Sequence, residues 1–252
     1  MIVTPVKTKK VIAGDGDIFG LLDEFLPKLK EKSIIAITSK VVAICEGRVL
    51  PEGEVLIDEL AKQESDYYLP TSVTKYDFRF TIIHGSLIPR AGIDESNGNG
   101  KVILWPEDPA RSANQIRNHL RQRDGLKNLG IILTDSTVRP LHYGTEGIAI
   151  AFSGFKPSKS YVGKPDLFGR KMKVSVANVA DALAAAAVLE MGEGTEQTPL
   201  AIIENYRDIE FQDKNPSLDD LNSFFVPIGK DDLFAPLLGA VKWQRGGKNY
   251  KK

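Results

Sequence analysis

The chain has 252 residues, 42% of them hydrophobic, which suits one large domain or two small ones with a real core. Lys and Arg number 33, as do Asp and Glu, so the formal net charge is zero and nothing global favours nucleic acid or an anionic membrane. The single cysteine, Cys45, excludes an intramolecular disulfide and a cysteine zinc cluster. No apolar run approaches the ~20 residues of a membrane span, and the start has no apolar signal core, so the expected location is cytoplasmic.

In chain order, Ile2–Val6 reads as a short strand whose Pro5 favours an edge. The basic cluster Lys7 to Lys10 is either solvated surface or a phosphate contact. Asp15 or Asp17 caps a helix over residues 18–32, with a break or kink expected at Pro27. The continuous apolar run from Ser33 to Ser39 reads as a buried strand ending in a hydroxyl and an ammonium, Ser39 and Lys40. A short apolar turn is expected next, in which Cys45 is a small buried hydrophobe. Residues 55–69 have a helical pattern, and Phe78 to Arg90 reads as one strand delivering the chain to Asp94.

Lys101 to Trp105 follows as a strand, then a helix with Asp108 as cap and Pro109 in its first turn. Its arginines, Arg111, Arg117, Arg121 and Arg123, read as a solvated face. A strand from Gly130 is expected to stop at Asp135, another starts at Gly147, and a third resumes over Lys171 to Val176. Residues 178–191 are alanine-rich and helical, suited to close packing. They end at the glycine-rich segment Met191-Gly-Glu-Gly-Thr-Glu196, followed by the strand Leu200–Glu204. Two short helical segments, after Ser217 and from Asp231, close the chain, with a basic tail from Lys248. Strands and helices mix without strict βα alternation, which predicts an α+β fold with mixed or antiparallel sheets and packed helices. The whole chain reads as one domain, with residues 205–252 a candidate smaller subdomain.

Two stretches carry chemistry. Arg90-Ala-Gly-Ile-Asp94-Glu-Ser-Asn97 brings a carboxylate, a hydroxyl and an amide into a glycine-bounded turn, and Thr134-Asp135-Ser136 repeats a carboxylate beside a hydroxyl. Such oxygen donors suit a hard divalent cation, although aspartate in turns is commonplace. No P-loop, Rossmann fingerprint or HExxH motif occurs. His84 and His119 read as structural; His142 follows Asp135 closely enough to face the same site.

Together, Ser39 with Glu46-Gly-Arg48, Ala91-Gly-Ile-Asp-x-Ser-Asn97, Thr134-Asp-Ser136, Asp166-Leu-Phe-Gly-Arg170, Ala180-Asp181 and Met191-Gly-Glu-Gly194 resemble the coenzyme F420-0:L-glutamate ligase (gamma-glutamyl ligase) family, from about Pro5 to about Glu204. The resemblance implies a gamma-glutamyl ligase-like fold in an intertwined homodimer, and an enzyme joining L-glutamate to a small-molecule carboxylate with GTP or ATP and Mn²⁺ or Mg²⁺. It implies Asp94, Asp135 and Ser136 as metal ligands. Ser39, Lys40, Asn97 and the loop Met191, Gly192, Glu193, Gly194, Thr195, Glu196 would lie along the nucleotide. Arg139, His142 and Arg170 would do the chemistry, with Arg139 at the transferring phosphoryl group and Arg170 on a carboxylate. The chain departs from the family pattern at Ile44, where lysine is usual, at Val138 in place of glycine, and at His142 in place of arginine. Two lost cations point to an altered acceptor, a folate-like carboxylate as readily as the coenzyme F420 precursor. A metal- and nucleotide-binding regulatory homologue and a metal-dependent phosphohydrolase remain as alternatives.

Overall fold

The computed structural model describes residues 1–53, 56–74, 78–217, 220–221, 224–228 and 232–247. Ile2–Val6 (β1) is followed by the helix Ile18–Phe25 (α1), the strand Ser33–Thr38 (β2) and the helix Ser39–Cys45 (α2). Val49–Pro51 (β3), Ile57–Glu64 (α3) and Tyr67–Tyr68 (β4) lead to a hairpin of Phe80–Ile83 (β5) and Ser86–Pro89 (β6). Next come Lys101–Ile103 (β7), the long helix Pro109–Asp124 (α4), and the paired strands Leu129–Val138 (β8) and Thr145–Ser153 (β9). After Ser158–Ser160 (β10) and Val176–Asn178 (β11) come the helix Val179–Met191 (α5), Leu200–Glu204 (β12), Ala235–Leu238 (α6) and Gln244–Arg245 (β13). The architecture is α+β, as expected.

The main sheet runs β1-β12-β2-β8-β9, antiparallel except for the parallel pair β2 and β8. Period two explains why β2 is apolar throughout. Ile35 and Ile37 face a core built with Leu22, Ile116, Leu120 and Leu133, under α1, α2 and α4. Ile34 and Ala36 face the other core, with Phe152, Ala184, Ala187 and Ile203 under α5. Covering both faces leaves no polar side to the strand. The alanines of α5 permit a close approach to β9: a Cβ on Gly147 would meet Val188 Cγ2 at 2.6 Å and the Ala184 carbonyl at 2.7 Å. A second sheet, β13-β4-β5-β6, and the pair β3 and β7 flank this body.

The helix starts follow the capping residues. Asp17 accepts the Gly20 N–H at 2.8 Å, Asp108 accepts the Arg111 N–H at 2.9 Å, and Asn178 accepts the Asp181 N–H at 3.0 Å. Helix α1 stops at Phe25, so Pro27 follows its end and residues 28–32, expected as helix, are not helical. His119 is tied to Asp23 at 2.8 Å, a structural role on the outer side of α4.

Several expectations are corrected. Residues 39–45 are a helix, not a turn, because Val41, Val42, Ala43 and Ile44 are all buried on it. The helix from residue 55 is only Ile57–Glu64; the aromatic pair Tyr67–Tyr68 joins a sheet instead. Phe78 to Arg90 is a hairpin, turning at His84 and Gly85 with φ of 49° and 77°, so His84 lies in the turn and not in a strand. The strand expected from Lys171 begins only at Val176. Strand β8 runs through Asp135 to Val138, with a register shift between Leu133 and Thr134, so Asp135 is not at a strand end. Arg117 is fully buried, not solvated. The helix expected after Ser217 and the one from Asp231 fall partly outside the described residues, where only Ala235–Leu238 is helical at the second; the tail from Lys248 lies wholly outside them.

One ion pair in this frame sets a pH dependence. Asp124 accepts Arg123 Nη2 at 2.7 Å and the Leu29 N–H at 2.9 Å, with its side chain 7% exposed. The Arg123 hydrogen bond, against the cost of burial, holds its carboxyl below the ordinary range. A depressed folded value means stability present above the unfolded value of about 3.9 and lost as pH falls through the folded one. Asp124→Asn is therefore expected to melt earlier than the parent at pH 7, by about 1–3 kcal/mol. The gap between the two melting curves should narrow as pH falls below about 4. A gap as wide in acid as at pH 7 would contradict this.

Candidate functional site

The site forms where the N-terminus of α2, the turn before β7, the bulged part of β8 and the loop after α5 meet. Asp94 is fixed on the backbone by reciprocal bonds with Ile103, at 3.0 and 2.8 Å. Its carboxylate accepts the Ser96 N–H at 2.6 Å and pairs with Lys40 Nζ at 2.6 Å. Lys40 also donates to Ser96 Oγ at 3.0 Å. Burial pushes the Asp94 carboxyl up, but the hydrogen bond and charge of Lys40 outweigh it and leave it below the ordinary range. Asp135 accepts the Trp105 indole N–H and, at 2.8 Å, the Ser136 N–H. Burial pushes its carboxyl up to about 6, against those two donors and Lys40, while the neighbouring Asp94 charge adds to the rise. The residue is half-buried.

The glycine-rich loop closes on this pair. Ser136 Oγ donates to Glu193 Oε1, Asn97 Nδ2 donates to the Gly194 carbonyl at 3.3 Å, and the Gly194 N–H donates to Glu196 Oε2 at 2.8 Å. Met191 is a core side chain; its carbonyl accepts the Thr198 hydroxyl. Gly192 has φ 78°, and a Cβ there would meet Glu196 Cδ at 2.4 Å. Thr195 is exposed, and Ser39 is buried at the first turn of α2. Thr8 exchanges hydrogen bonds with Gln197, which carries the basic segment Lys7 to Lys10 alongside the loop.

Asp94, Asp135, Ser136, Lys40, Asn97, Glu193 and Gly194 are thus brought together, from elements about a hundred and fifty residues apart. Arg139, His142 and Arg170 are not brought to them. Arg139 pairs with Glu146 at 3.1 Å, His142 lies on the exposed tip between β8 and β9, and Arg170 sits in the exposed loop between β10 and β11. Cys45 is half-buried, and burial pushes its thiol up to about 11, which removes it as a nucleophile at neutral pH.

Two groups escaped the sequence reading. Trp105 was only the last residue of an apolar run, yet its indole holds Asp135, in space that a side chain on Gly92 would fill. Arg90 lines a cavity of 510 Å³ with Phe78, Asp94, Asp135 and Ser136. The signal for both was Gly92, whose φ of 70° favours glycine and whose missing side chain leaves room for Trp105.

The donor set is oxygen only: two carboxylates, the Ser136 hydroxyl and, next to it, Glu193. The structure holds an ammonium, that of Lys40, against the acidic pair, so the place already attracts a cation. No group of three or more His, Cys, Asp or Glu side chains converges as a metal cluster among the described residues. Two carboxylates completed by phosphate oxygens and water are how Mg²⁺ is commonly held. The residues fit such an ion.

A family profile described as F420-0:Gamma-glutamyl ligase matches residues 5–205. The chain belongs to the F420-0:gamma-glutamyl ligase family. It is 33% identical over 216 residues to the coenzyme F420:L-glutamate ligase of Methanopyrus kandleri, covering 79% of this chain and 85% of that one. It is 34% identical over 212 residues to that of Methanococcus maripaludis, with 77% and 84% covered. With that of Archaeoglobus fulgidus the identity is 35% over 183 residues, with 72% and 67% covered. The matched span of this gamma-glutamyl ligase family member holds both carboxylates, the glycine-rich loop and β2 through β12, and begins inside β1. Among the described residues no helix is long and apolar enough to cross a membrane.

Proposed function

We propose that the protein is a ligase that forms an amide bond between L-glutamate and a small-molecule carboxylate, using GTP or ATP and Mn²⁺ or Mg²⁺. The observation that carries this reading is the convergence of Asp94, Asp135 and Ser136 under a loop that supplies a backbone amide and a carboxylate. Family membership, with relatives named as glutamate ligases, supports the ligase class.

Asp94, Asp135 and Ser136 would hold the divalent ion, which when bound neutralises phosphate charge during phosphoryl transfer. Lys40, freed from Asp94, would turn its ammonium to the nucleotide phosphates. Asn97 ties the Gly194 loop down over that side, and Ser39 precedes Lys40 at the buried start of α2. An acceptor carboxylate oxygen attacks the terminal phosphoryl group, and the nucleoside diphosphate leaves. The glutamate amine then attacks the acyl carbon, phosphate departs and a proton passes to solvent. Trp105 keeps Asp135 oriented and shields it from water.

The assembly proposed is a homodimer in the cytoplasm. Leu141, Tyr143, Leu167, Phe168 and Val174 are each at least 85% exposed, an apolar surface that suits a second copy. His142 and Arg170 sit on those same segments, so covering them would also bury or reposition both.

The test is a mass-spectrometric assay with L-glutamate, each nucleotide, each metal and a panel of acceptors including coenzyme F420, its precursor and folates. A product heavier by one glutamyl unit, made only with nucleotide and metal, is the expected result. Nucleotide hydrolysis that ignores glutamate would favour the phosphohydrolase instead, and binding without turnover the regulatory reading. Light scattering of the same sample reports the dimer, and a monomer mass would sink that part.

A further inference from the structure

Arg90 is a cation that the reading above leaves without a task. Its guanidinium has five N–H donors but makes no hydrogen bond among the described residues. The acidic atom it pairs with, Glu95 Oε2, is 3.7 Å from Nη1, beyond hydrogen-bond reach. The other partly or fully buried arginines behave differently: Arg48, Arg79, Arg117, Arg121 and Arg123 all donate to carboxylates or carbonyls. Arg90 instead lies over the face of Phe78, its Cζ 4.4 Å from the ring centroid, with 30% of its side chain exposed.

The backbone beneath it is strained to put it there. Arg90, Ala91 and Gly92 take successive left-handed φ values of 52°, 54° and 70°. For the two residues with side chains this conformation is unfavourable. The fold holds it from three sides. The Ala91 N–H donates to the buried Thr81 Oγ1 at 2.7 Å, the Arg90 N–H donates to the Arg79 carbonyl at 2.8 Å, and the Trp105 indole packs on Gly92. Strain kept in place by the surrounding structure marks a functional segment.

The cavity that Arg90 lines contains Asp94, Asp135 and Ser136 but none of Ser39, Lys40, Asn97 or residues 191–196. The acidic pair therefore stands between the nucleotide side and a separate space with its own cation. A carboxylate awaiting phosphorylation must reach the pair from space that the nucleotide does not fill. We propose that Arg90, seated on Phe78, binds an oxyanion of the carboxylate-bearing acceptor in this cavity. This rests on the ligase reading and assigns its acceptor subsite. A guanidinium whose fork makes no hydrogen bond, with Glu95 3.7 Å away on the same cavity wall, suits the paired oxygens of a carboxylate or phosphate better than an ammonium does.

The experiment is calorimetric titration of the full chain with coenzyme F420, with L-glutamate, and with a Mn²⁺ complex of a non-hydrolysable GTP analogue. The variants are Arg90→Gln and Arg90→Lys, each checked for an unchanged melting temperature, with Phe78→Leu as a second route to the same subsite. Arg90→Gln is expected to weaken coenzyme F420 binding about 10- to 100-fold. Arg90→Lys should recover part of that loss, Phe78→Leu should weaken the same ligand less, and the other two ligands should stay within about twofold in all three variants. A loss confined to the nucleotide or to L-glutamate would reassign Arg90 and overturn the proposal. So would unchanged affinity for all three, or a parent protein that does not bind coenzyme F420. Binding needs no turnover, so an absent glutamyl adduct would sink the ligase reading separately.

Discussion

Asp135→Asn is expected to lower turnover by at least about 10³-fold, and metal-dependent nucleotide binding with it, while the protein folds normally. Asparagine keeps the shape, and its amide oxygen still accepts an N–H from Trp105 or Ser136. What it removes is the charge. The charge of Asp94 is already met by Lys40 at 2.6 Å, so within the acidic pair the variant leaves a divalent ion no uncompensated carboxylate. Burial raises the Asp135 carboxyl to about 6, which means the ionised form is disfavoured in the folded state. A neutral side chain relieves that cost, so the variant should melt no lower than the parent at pH 8. Sites that bind and react commonly trade stability in this way. Manganese binding followed by electron paramagnetic resonance, with adduct formation by mass spectrometry, checks both halves. Near-normal turnover in Asp135→Asn would remove the acidic pair from the mechanism.

Arg117→Met should produce the largest loss of stability, about 3–5 kcal/mol, seen as a fall in melting temperature of about 10 °C. Arg117 is 0% exposed, on the inward face of α4. It donates to the Leu129 carbonyl at 3.0 Å, the Gln212 carbonyl at 2.6 Å, and the Asp213 carbonyl and Asn215 Oδ1 at 3.2 and 3.4 Å. It thereby fastens residues 212–215 to the start of β8. Methionine fills similar volume and carries no donor, so it leaves the enclosed Leu129 carbonyl without a partner, at about 1–3 kcal/mol, and frees residues 212–215 from the helix. Gly154 leaves no room for rearrangement, since a Cβ there would lie 2.3 Å from Arg117 Nε. Urea denaturation gives the figure directly; a loss under about 1 kcal/mol would mean that water reaches those carbonyls.

The sequence was legible where one physical signal dominated. The cap Asp108, the cap candidates Asp15 and Asp17, the alanine-rich run after Asn178 and the apolar runs of β1, β2 and β12 placed the starts of their elements to within a residue or two. It misled where periodicity had two solutions. Residues 41–44 are a continuous buried apolar run, so the pattern cannot separate helix from turn, and the hairpin at His84 turns on two left-handed residues of which only Gly85 announces itself. Arg117 was unreadable because its partners are backbone carbonyls, which carry no sequence signature. The meeting of Asp94 and Asp135 beneath the glycine loop was visible through family resemblance; the geometry adds Lys40 and Trp105 as their immediate partners. Arg90 was in view as the first residue of the acidic motif, but its task depends on a cavity that only the fold creates.

The strand order β1-β12-β2-β8-β9 also has a consequence for synthesis. In that sheet only β8 and β9 are neighbours in the chain, so they are the sole pair able to close locally. Strand β1 emerges first from a ribosome, yet its partner β12 lies nearly two hundred residues behind. At about 5–20 residues per second, β1 waits on the order of 10–40 s with its hydrogen-bonding edge bare. Pro5 within it and Lys7, Lys9 and Lys10 just after it are the residues that discourage another chain from pairing there in the interval.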